Sequence, residues 1–116
     1  MRIFHIATLA DWQGAQASGS YTTSTYGASL ADVGYLHAAR AEQVTSVVER
    51  FYGDVTEPIL VLEIDTDLLD VPWREDAVGD DTFPHVYGPL SASAVVGVHS
   101  VPPGAAAPHP RPEQPR

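Results

Sequence analysis

The sequence predicts an α+β fold, a compact single domain in which two helices pack on a mostly antiparallel sheet core. Three observations predict it. The apolar run at residues 58–65 is typical of a central strand, two segments carry helical signals, and short β-forming segments make up most of the rest. At 116 residues the chain has room for one domain but not for two sizeable cores.

The first predicted element is a strand over residues 2–6, which are rich in β-forming side chains. Successive side chains of a strand point to opposite faces. Phe4 and Ile6 therefore share one face of this strand, and Ile3 and His5 share the other.

A helix of about ten residues is predicted next, ending near residue 17. Thr8 and Asp11 have the spacing of a capping box, in which a hydroxyl begins the helix and a carboxylate follows three residues later. Gly19 is placed to stop the helix, because glycine readily adopts the left-handed conformation found at helix ends.

Residues 20–33 are small, polar and interrupted by glycine, which predicts a long loop of the kind that often serves binding. A brief strand is predicted at residues 34–37. A second helix follows over residues 40–52, where apolar side chains recur at helical spacing and Gly53 ends the pattern. The face that this helix is expected to bury contains Val44, Val47, Val48 and Phe51.

The strand at residues 58–65 carries two carboxylates, Glu63 and Asp65, on one face of an otherwise apolar segment. A carboxylate buried alone has a raised pKa, which is one route to general acid–base chemistry. The alternative is that Asp65 reaches solvent at the strand end and Glu63 pairs with an arginine.

The remaining elements are extended. We expect a short edge strand at residues 71–73, an acidic loop at 76–81, an extended segment at 83–87 and a final strand at 94–101. The proline-rich stretch at 102–116 lacks large apolar residues and predicts a disordered tail, so the folded domain spans residues 1–101.

Composition excludes several partners and chemistries. Four arginines and fourteen acidic residues give residues 1–101 a net charge of −10, and the chain has no lysine. Nucleic-acid binding needs cations that neutralise phosphates, so we exclude nucleic acids and anionic membranes and expect a small-molecule ligand. The absence of cysteine removes disulfides, thiolate metal sites and cysteine nucleophiles. Since no apolar run is long enough for a membrane span or a signal sequence, we expect a cytoplasmic protein.

Three histidines, His5, His37 and His85, lie in extended segments beside aromatic residues. Imidazole can donate, accept or change charge near neutral pH, so three of them converging on one cleft would form a candidate site. For each histidine taken alone, the favoured interpretation is a hydrogen-bonded structural side chain in the core or at the surface. No pair has the short spacing typical of a preformed metal site, so no metal is predicted.

The most specific local feature is the segment at residues 83–90. Pro84 and Pro89 constrain its backbone, and an extended chain places His85 and Tyr87 on one face. The alternative is a structural turn whose apolar residues simply pack.

These segments together resemble a family of small bacterial proteins, domain of unknown function nine hundred and fifty-two. The resemblance runs in order over about residues 2–100 and is most specific at 83–90. The segments that carry it are Phe4-His5-Ile6, Trp12, Gly34-Tyr35-Leu36-His37, Glu42-Gln43, residues 60–65, Val71-Pro72-Trp73 and Phe83-Pro84-His85-Val86-Tyr87-Gly88-Pro89-Leu90.

The family is grouped by fold with the ADP-ribosyltransferase superfamily, so the resemblance implies a split two-sheet core with a cleft and NAD as the cofactor. By position it implies that His5 contacts the ribose of NAD. It implies that His37, with Tyr35 alongside, packs near the nicotinamide and that His85 lines the same cleft. The chain departs from the superfamily in having no clear counterpart of the glutamate of protein-modifying members.

The first functional hypothesis is an enzyme that binds NAD or another nucleotide and transfers at the N-glycosidic carbon of the ribose. Such a step depends on orientation and charge stabilisation. Arg40 and Arg74 would meet the diphosphate. The residues that would line the cleft are His5, Tyr35, His37, His85 and Tyr87.

The second hypothesis is an enzyme that has lost NAD and acts on a neutral small molecule, such as a secondary metabolite. A histidine would act as the acid or base, with His37 and His85 as the catalytic candidates. The aromatic residues that would shape the pocket are Tyr21, Tyr26, Tyr35, Trp73 and Tyr87.

The third hypothesis is a ligand-binding module without catalysis. In it the three histidines are structural, each bonded to its surroundings.

Overall fold

Residues 1–101, the part of the chain that this computed structural model describes, form ten strands and three α-helices. The tail predicted at residues 102–116 lies outside the described residues. In chain order the elements are β1 (Arg2–Thr8), α1 (Leu9–Ser18), β2 (Ser20–Tyr21), β3 (Thr23–Thr25), β4 (Ala28–Ser29), α2 (Leu30–Val33), β5 (Leu36–His37), α3 (Val44–Tyr52), β6 (Ile59–Asp65), β7 (Trp73–Val78), β8 (Asp81–Val86), β9 (Leu90–Ser91) and β10 (Val95–Val101).

The strands form two three-stranded sheets, β1–β6–β10 and β5–β8–β7, and two short pairs, β2–β9 and β3–β4. All of these pairings are antiparallel. The predicted α+β class with mostly antiparallel sheets is therefore confirmed. No helix in the described part of the chain is long and apolar enough to cross a membrane.

Strand β6 lies at the centre of its sheet, as its apolar sequence predicts. Its alternating side chains enter two separate cores, because strand side chains alternate between faces. Leu62 and Ile64 join the larger core, whereas Ile59 and Val61 join a smaller one.

Helix α1 has the predicted ends. The Thr8 hydroxyl accepts a hydrogen bond from the Asp11 N–H at 3.1 Å, which satisfies one free donor of the first turn. Gly19 has a φ of 87°, and its N–H donates to the carbonyl of Ala15. The left-handed φ explains why glycine ends this helix.

The β5–β8–β7 sheet has two different faces. Its register places His85 of β8 between His37 of β5 and Arg74 of β7, so these three side chains share a face. The opposite face packs against the larger core with Leu36, Val86 and Trp73. One face of this sheet therefore contributes to stability, and the other is free to carry polar side chains.

The prediction of a long loop at residues 20–33 is wrong. The segment contains β2, β3, β4 and the four-residue helix α2. Tyr21 and Ser24 are buried, and the Ser24 hydroxyl donates to the carbonyl of Tyr35 at 2.6 Å. The Ser24 side chain therefore satisfies a backbone carbonyl inside the fold instead of facing solvent.

Two further predictions need correction. Residues 76–78 end strand β7, which begins at Trp73, and Asp81 begins β8, so the predicted acidic loop is the tip of a β-hairpin. In α3 the buried residues are Val48 and Tyr52, whereas Phe51 is 57% exposed. Val48 and Tyr52 are four residues apart and therefore lie on the same side of the helix, whereas Phe51 lies on a different side.

Candidate functional site

The polar face of the β5–β8–β7 sheet carries a cluster of aromatic rings. His37 and His85 are cross-strand partners whose ring centroids lie 5.1 Å apart with perpendicular planes. Tyr35 stacks on His85 at 4.0 Å and meets His37 edge-on at 5.0 Å. Tyr87 lies 5.5 Å from Tyr35. The two histidines proposed as catalytic therefore lie side by side, with both predicted tyrosines against them.

Asp76 is the centre of the hydrogen bonds in this cluster. Its carboxylate accepts from Nδ1 of His85 at 2.8 Å, from the Tyr87 hydroxyl, and from Nε of Arg74 at 2.8 Å. These bonds, that from Tyr87 foremost, lower the pKa of Asp76 to about 2. Since a carboxylate can only accept, Nδ1 of His85 carries a hydrogen.

The other nitrogen of His85 is in an unusual position. His85 is buried, and its Nε2 has no hydrogen-bond partner among the described residues. Buried polar atoms are nearly always paired, and an unpaired one calls for an explanation.

His5 is hydrogen-bonded through both ring nitrogens. Its Nδ1 bonds to the backbone carbonyl of His37, and its Nε2 lies 3.0 Å from the Tyr21 hydroxyl. Because a carbonyl only accepts, Nδ1 carries the hydrogen and Nε2 accepts from Tyr21. Burial lowers the pKa of His5 to about 4, so the ring is neutral near neutral pH.

A pocket of about 200 Å³ opens beside His37. Most of its surface is apolar, and its polar lining residues are His5, Ser24, Thr25, His37, Arg50 and Tyr52. Its lining residues come from β1, β3, β5, α3, β7, β8 and the residues after β5, namely Phe4, His5, Ile6, Ser24, Thr25, His37, Ala38, Ala39, Val47, Arg50, Phe51, Tyr52, Val78 and Phe83. The pocket therefore lies between the two three-stranded sheets.

His37 is the histidine whose ring is available to this pocket. It is half-buried, and within residues 1–101 neither of its ring nitrogens takes part in a hydrogen bond. Burial lowers its pKa, and the charge that His85 can carry lowers it further. A neutral imidazole with a free lone pair can accept a hydrogen bond or a proton.

The two arginines expected to meet a diphosphate are both paired with carboxylates. Arg40 contacts Glu42, Glu75 and Asp81 at 2.7, 2.7 and 3.3 Å, and Arg74 contacts Asp76 at 2.8 Å. Neither lines the pocket.

The structure places some predicted site residues elsewhere. Trp73 packs on the core side of its sheet, and Arg40 ties the residues before α3 to the β7–β8 hairpin. Neither joins the histidine cluster or the pocket. For Glu63 the alternative of pairing with an arginine is confirmed. Glu63 lies 3.1 Å from His99 and 2.6 Å from Arg2, and these two contacts, that with His99 foremost, lower its pKa.

Two residues of the site, Asp76 and Arg50, have no signal in the local sequence. Asp76 lies two residues from Arg74 and nine from His85, and this spacing brings them together only when the two segments pair as a hairpin. Arg50 lies far in sequence from the histidine motifs. Within residues 1–101 no cluster of histidine and acidic side chains is arranged to hold a metal ion.

Comparison with known proteins gives relatives of the same fold. A family model described as protein of unknown function (DUF952) matches residues 6–98. The crystal structure of protein CC0527 from Caulobacter crescentus is 27% identical with a TM-score of 0.74, covering 86% of this chain and 85% of that chain. The solution NMR structure of CC0527 gives 25% identity and a TM-score of 0.65, covering 84% and 81%. A search of curated proteins found no match.

Proposed function

This chain belongs to the DUF952 family, and we propose that it is an enzyme that binds a small, mainly apolar molecule beside His37 and acts on it by acid–base chemistry. The observation that carries the proposal is the state of the His37 ring. It is neutral, unbonded within residues 1–101, and part of the wall of an apolar pocket. Apolar pockets with a few well-placed polar groups are typical of small-molecule sites.

His37 would act as the general base. Its lowered pKa keeps the lone pair free near neutral pH, which is the form that removes a proton. His85 and Asp76 would hold the side chains around His37 in place. The hydrogen bond from Nδ1 of His85 to Asp76 fixes the plane of the His85 ring, on which Tyr35 stacks. We assign His85 a positioning role, since it does not line the pocket.

The size of the pocket favours a small ligand. Its volume of about 200 Å³ is below the ~300–1,000 Å³ of pockets for drug-sized ligands, and near the ~150 Å³ of a protein cavity that holds benzene. We therefore propose a substrate with a body about the size of one aromatic ring.

The resemblance to ADP-ribosyltransferases contributes only the position of the pocket to this proposal, and not the reaction. We propose that the pocket between the sheets corresponds to the cleft of that superfamily. Arg40 and Arg74, the two cations expected to bind a diphosphate, are already paired with carboxylates. These ion pairs favour a ligand that has no diphosphate group.

Deuterium exchange into a small ketone tests the proposal. Phenylacetone in D₂O exchanges its acidic C–H hydrogens when a base removes them, and NMR follows the loss of signal. We expect the wild-type protein to accelerate exchange and the His37→Ala variant to lower the rate by about 100-fold, the usual contribution of a general base. His99→Ala, which changes an exposed histidine on β10, is the matched control.

The outcomes separate the hypotheses. Exchange that is equal in wild type and His37→Ala would refute acid–base catalysis by this residue. Binding of phenylacetone at the pocket amides without accelerated exchange would support the non-catalytic module instead.

A further inference from the structure

The four arginines in the described part of the chain are not equivalent. Arg2 pairs with Glu63, Arg40 with three carboxylates, and Arg74 with Asp76. Arg50 has no carboxylate or hydrogen-bond partner within residues 1–101. In a region with fourteen acidic residues, an arginine left without a partner is unexpected on charge grounds.

Arg50 is also the arginine that lines the pocket. It lies in the last turn of α3, is exposed, and has its guanidinium carbon 5.9 Å from the ring centroid of Phe51, another lining residue. A positive charge therefore stands at the solvent side of a pocket whose wall is otherwise mainly apolar.

We infer that the ligand carries one carboxylate, received by Arg50 at the pocket mouth, with its apolar body beside His37. This inference rests on the proposed function and names the substrate class: small monocarboxylic acids. The planar guanidinium donates two parallel hydrogen bonds to a carboxylate. One arginine in a region of net charge −10 suits a single negative charge and disfavours a dianion.

Three probes that share a benzene ring test the inference. Benzoate carries one negative charge, benzamide is a neutral molecule of the same shape, and phenyl phosphate carries nearly two charges. Each is titrated into the full-length protein at low salt, and backbone amide NMR reports the dissociation constant and the residues that respond.

We expect benzoate to bind about fivefold more tightly than benzamide, the upper range for an exposed ion pair, and phenyl phosphate to bind more weakly than benzoate. In Arg50→Gln the benzoate preference disappears while benzamide affinity is unchanged. Arg50→Lys keeps part of the preference, because the charge remains and the two-pronged geometry is lost. Arg2→Gln, which removes an arginine paired elsewhere, keeps all of it.

Equal binding of benzoate and benzamide to the wild-type pocket would overturn the role of Arg50 and leave the proposed apolar pocket standing. A benzoate preference that survives in Arg50→Gln would overturn it as well. If neither probe perturbs the pocket amides, both the inference and the pocket on which it rests are refuted.

Discussion

His5 and His37 are close neighbours with opposite roles. His5 is buried with both ring nitrogens bonded, one of them to the backbone of His37. His37 is half-buried, and its ring is unbonded within residues 1–101. A bonded, buried imidazole stabilises the fold, whereas an unbonded one facing a pocket is available to a ligand. The resemblance implies that His5 contacts a ribose. Its hydrogen bonds support a structural role instead, because both ring nitrogens are already bonded.

Replacing His5 gives the largest expected effect. His5→Ala leaves a cavity and removes the partners of a buried hydroxyl and a buried carbonyl, so we expect the free energy of unfolding to fall by roughly 4 kcal/mol. Urea denaturation measures it. His37→Ala, the matched change at a half-buried ring, should cost less than about 1 kcal/mol. Equal losses in the two variants would contradict the distinction between the rings.

The pH dependence of stability tests the same point. Between the ordinary histidine pKa of 6.5 and the folded value of about 4, the unfolded chain binds a proton that folded His5 does not. Stability therefore falls as pH drops through this window, by up to about 3 kcal/mol, with His37 acting in the same direction. Urea denaturation at several pH values measures the slope. His5→Gln, which cannot titrate, should have a flatter profile; an unchanged slope would assign the effect to other groups.

Asp76→Asn should have a smaller effect. Without the carboxylate, the hydrogen bonds from His85, Tyr87 and Arg74 lose their charged acceptor, so the rings beside His37 are held less firmly. Because neither Asp76 nor His85 lines the pocket, we expect the affinity for benzamide to fall by less than about threefold. Titration followed by backbone amide NMR measures the affinity. Asp67→Asn removes an exposed carboxylate elsewhere and controls for net charge; an equal loss of affinity in this variant would show that the Asp76 hydrogen bonds do not support the pocket.

The smallest expected effect is that of NAD. Because Arg40 and Arg74 are held by carboxylates, we expect NAD and ADP-ribose to give no binding heat at millimolar concentration in calorimetry. Heat that is lost on replacing Arg74 by Gln would show that its ion pair opens for a diphosphate and would restore the nucleotide hypothesis.

Elements defined by local signals were predictable. Strand β6 follows from its apolar run, and α1 follows from Thr8 and Gly19, because a cap and a stop depend only on nearby residues. The short strands at residues 20–29 were not predictable, because β2 pairs with the distant β9 and the local pair β3–β4 has only two or three residues in each strand. Two-residue strands leave too little periodicity to read.

The site was predictable only in part for a related reason. The alternation of strand side chains places His85 and Tyr87 on one face. His37 is a candidate because it lies in an extended segment beside aromatic residues, and the resemblance adds Tyr35. The role of Asp76 depends on the register of β7 against β8. The role of Arg50 depends on how α3 packs over the sheets. Neither the β7–β8 register nor the packing of α3 can be predicted from nearby residues alone.

The side-chain ¹⁵N spectrum of the histidines, recorded with and without saturating benzamide, shows most directly which ring meets the ligand. We expect the ring nitrogens of His37 to shift on binding, since the neutral ring faces the ligand. The nitrogens of His5 should stay within their existing bonds and move little. A spectrum in which His5 shifts and His37 does not would contradict the assignment of His37 as the histidine that meets the ligand.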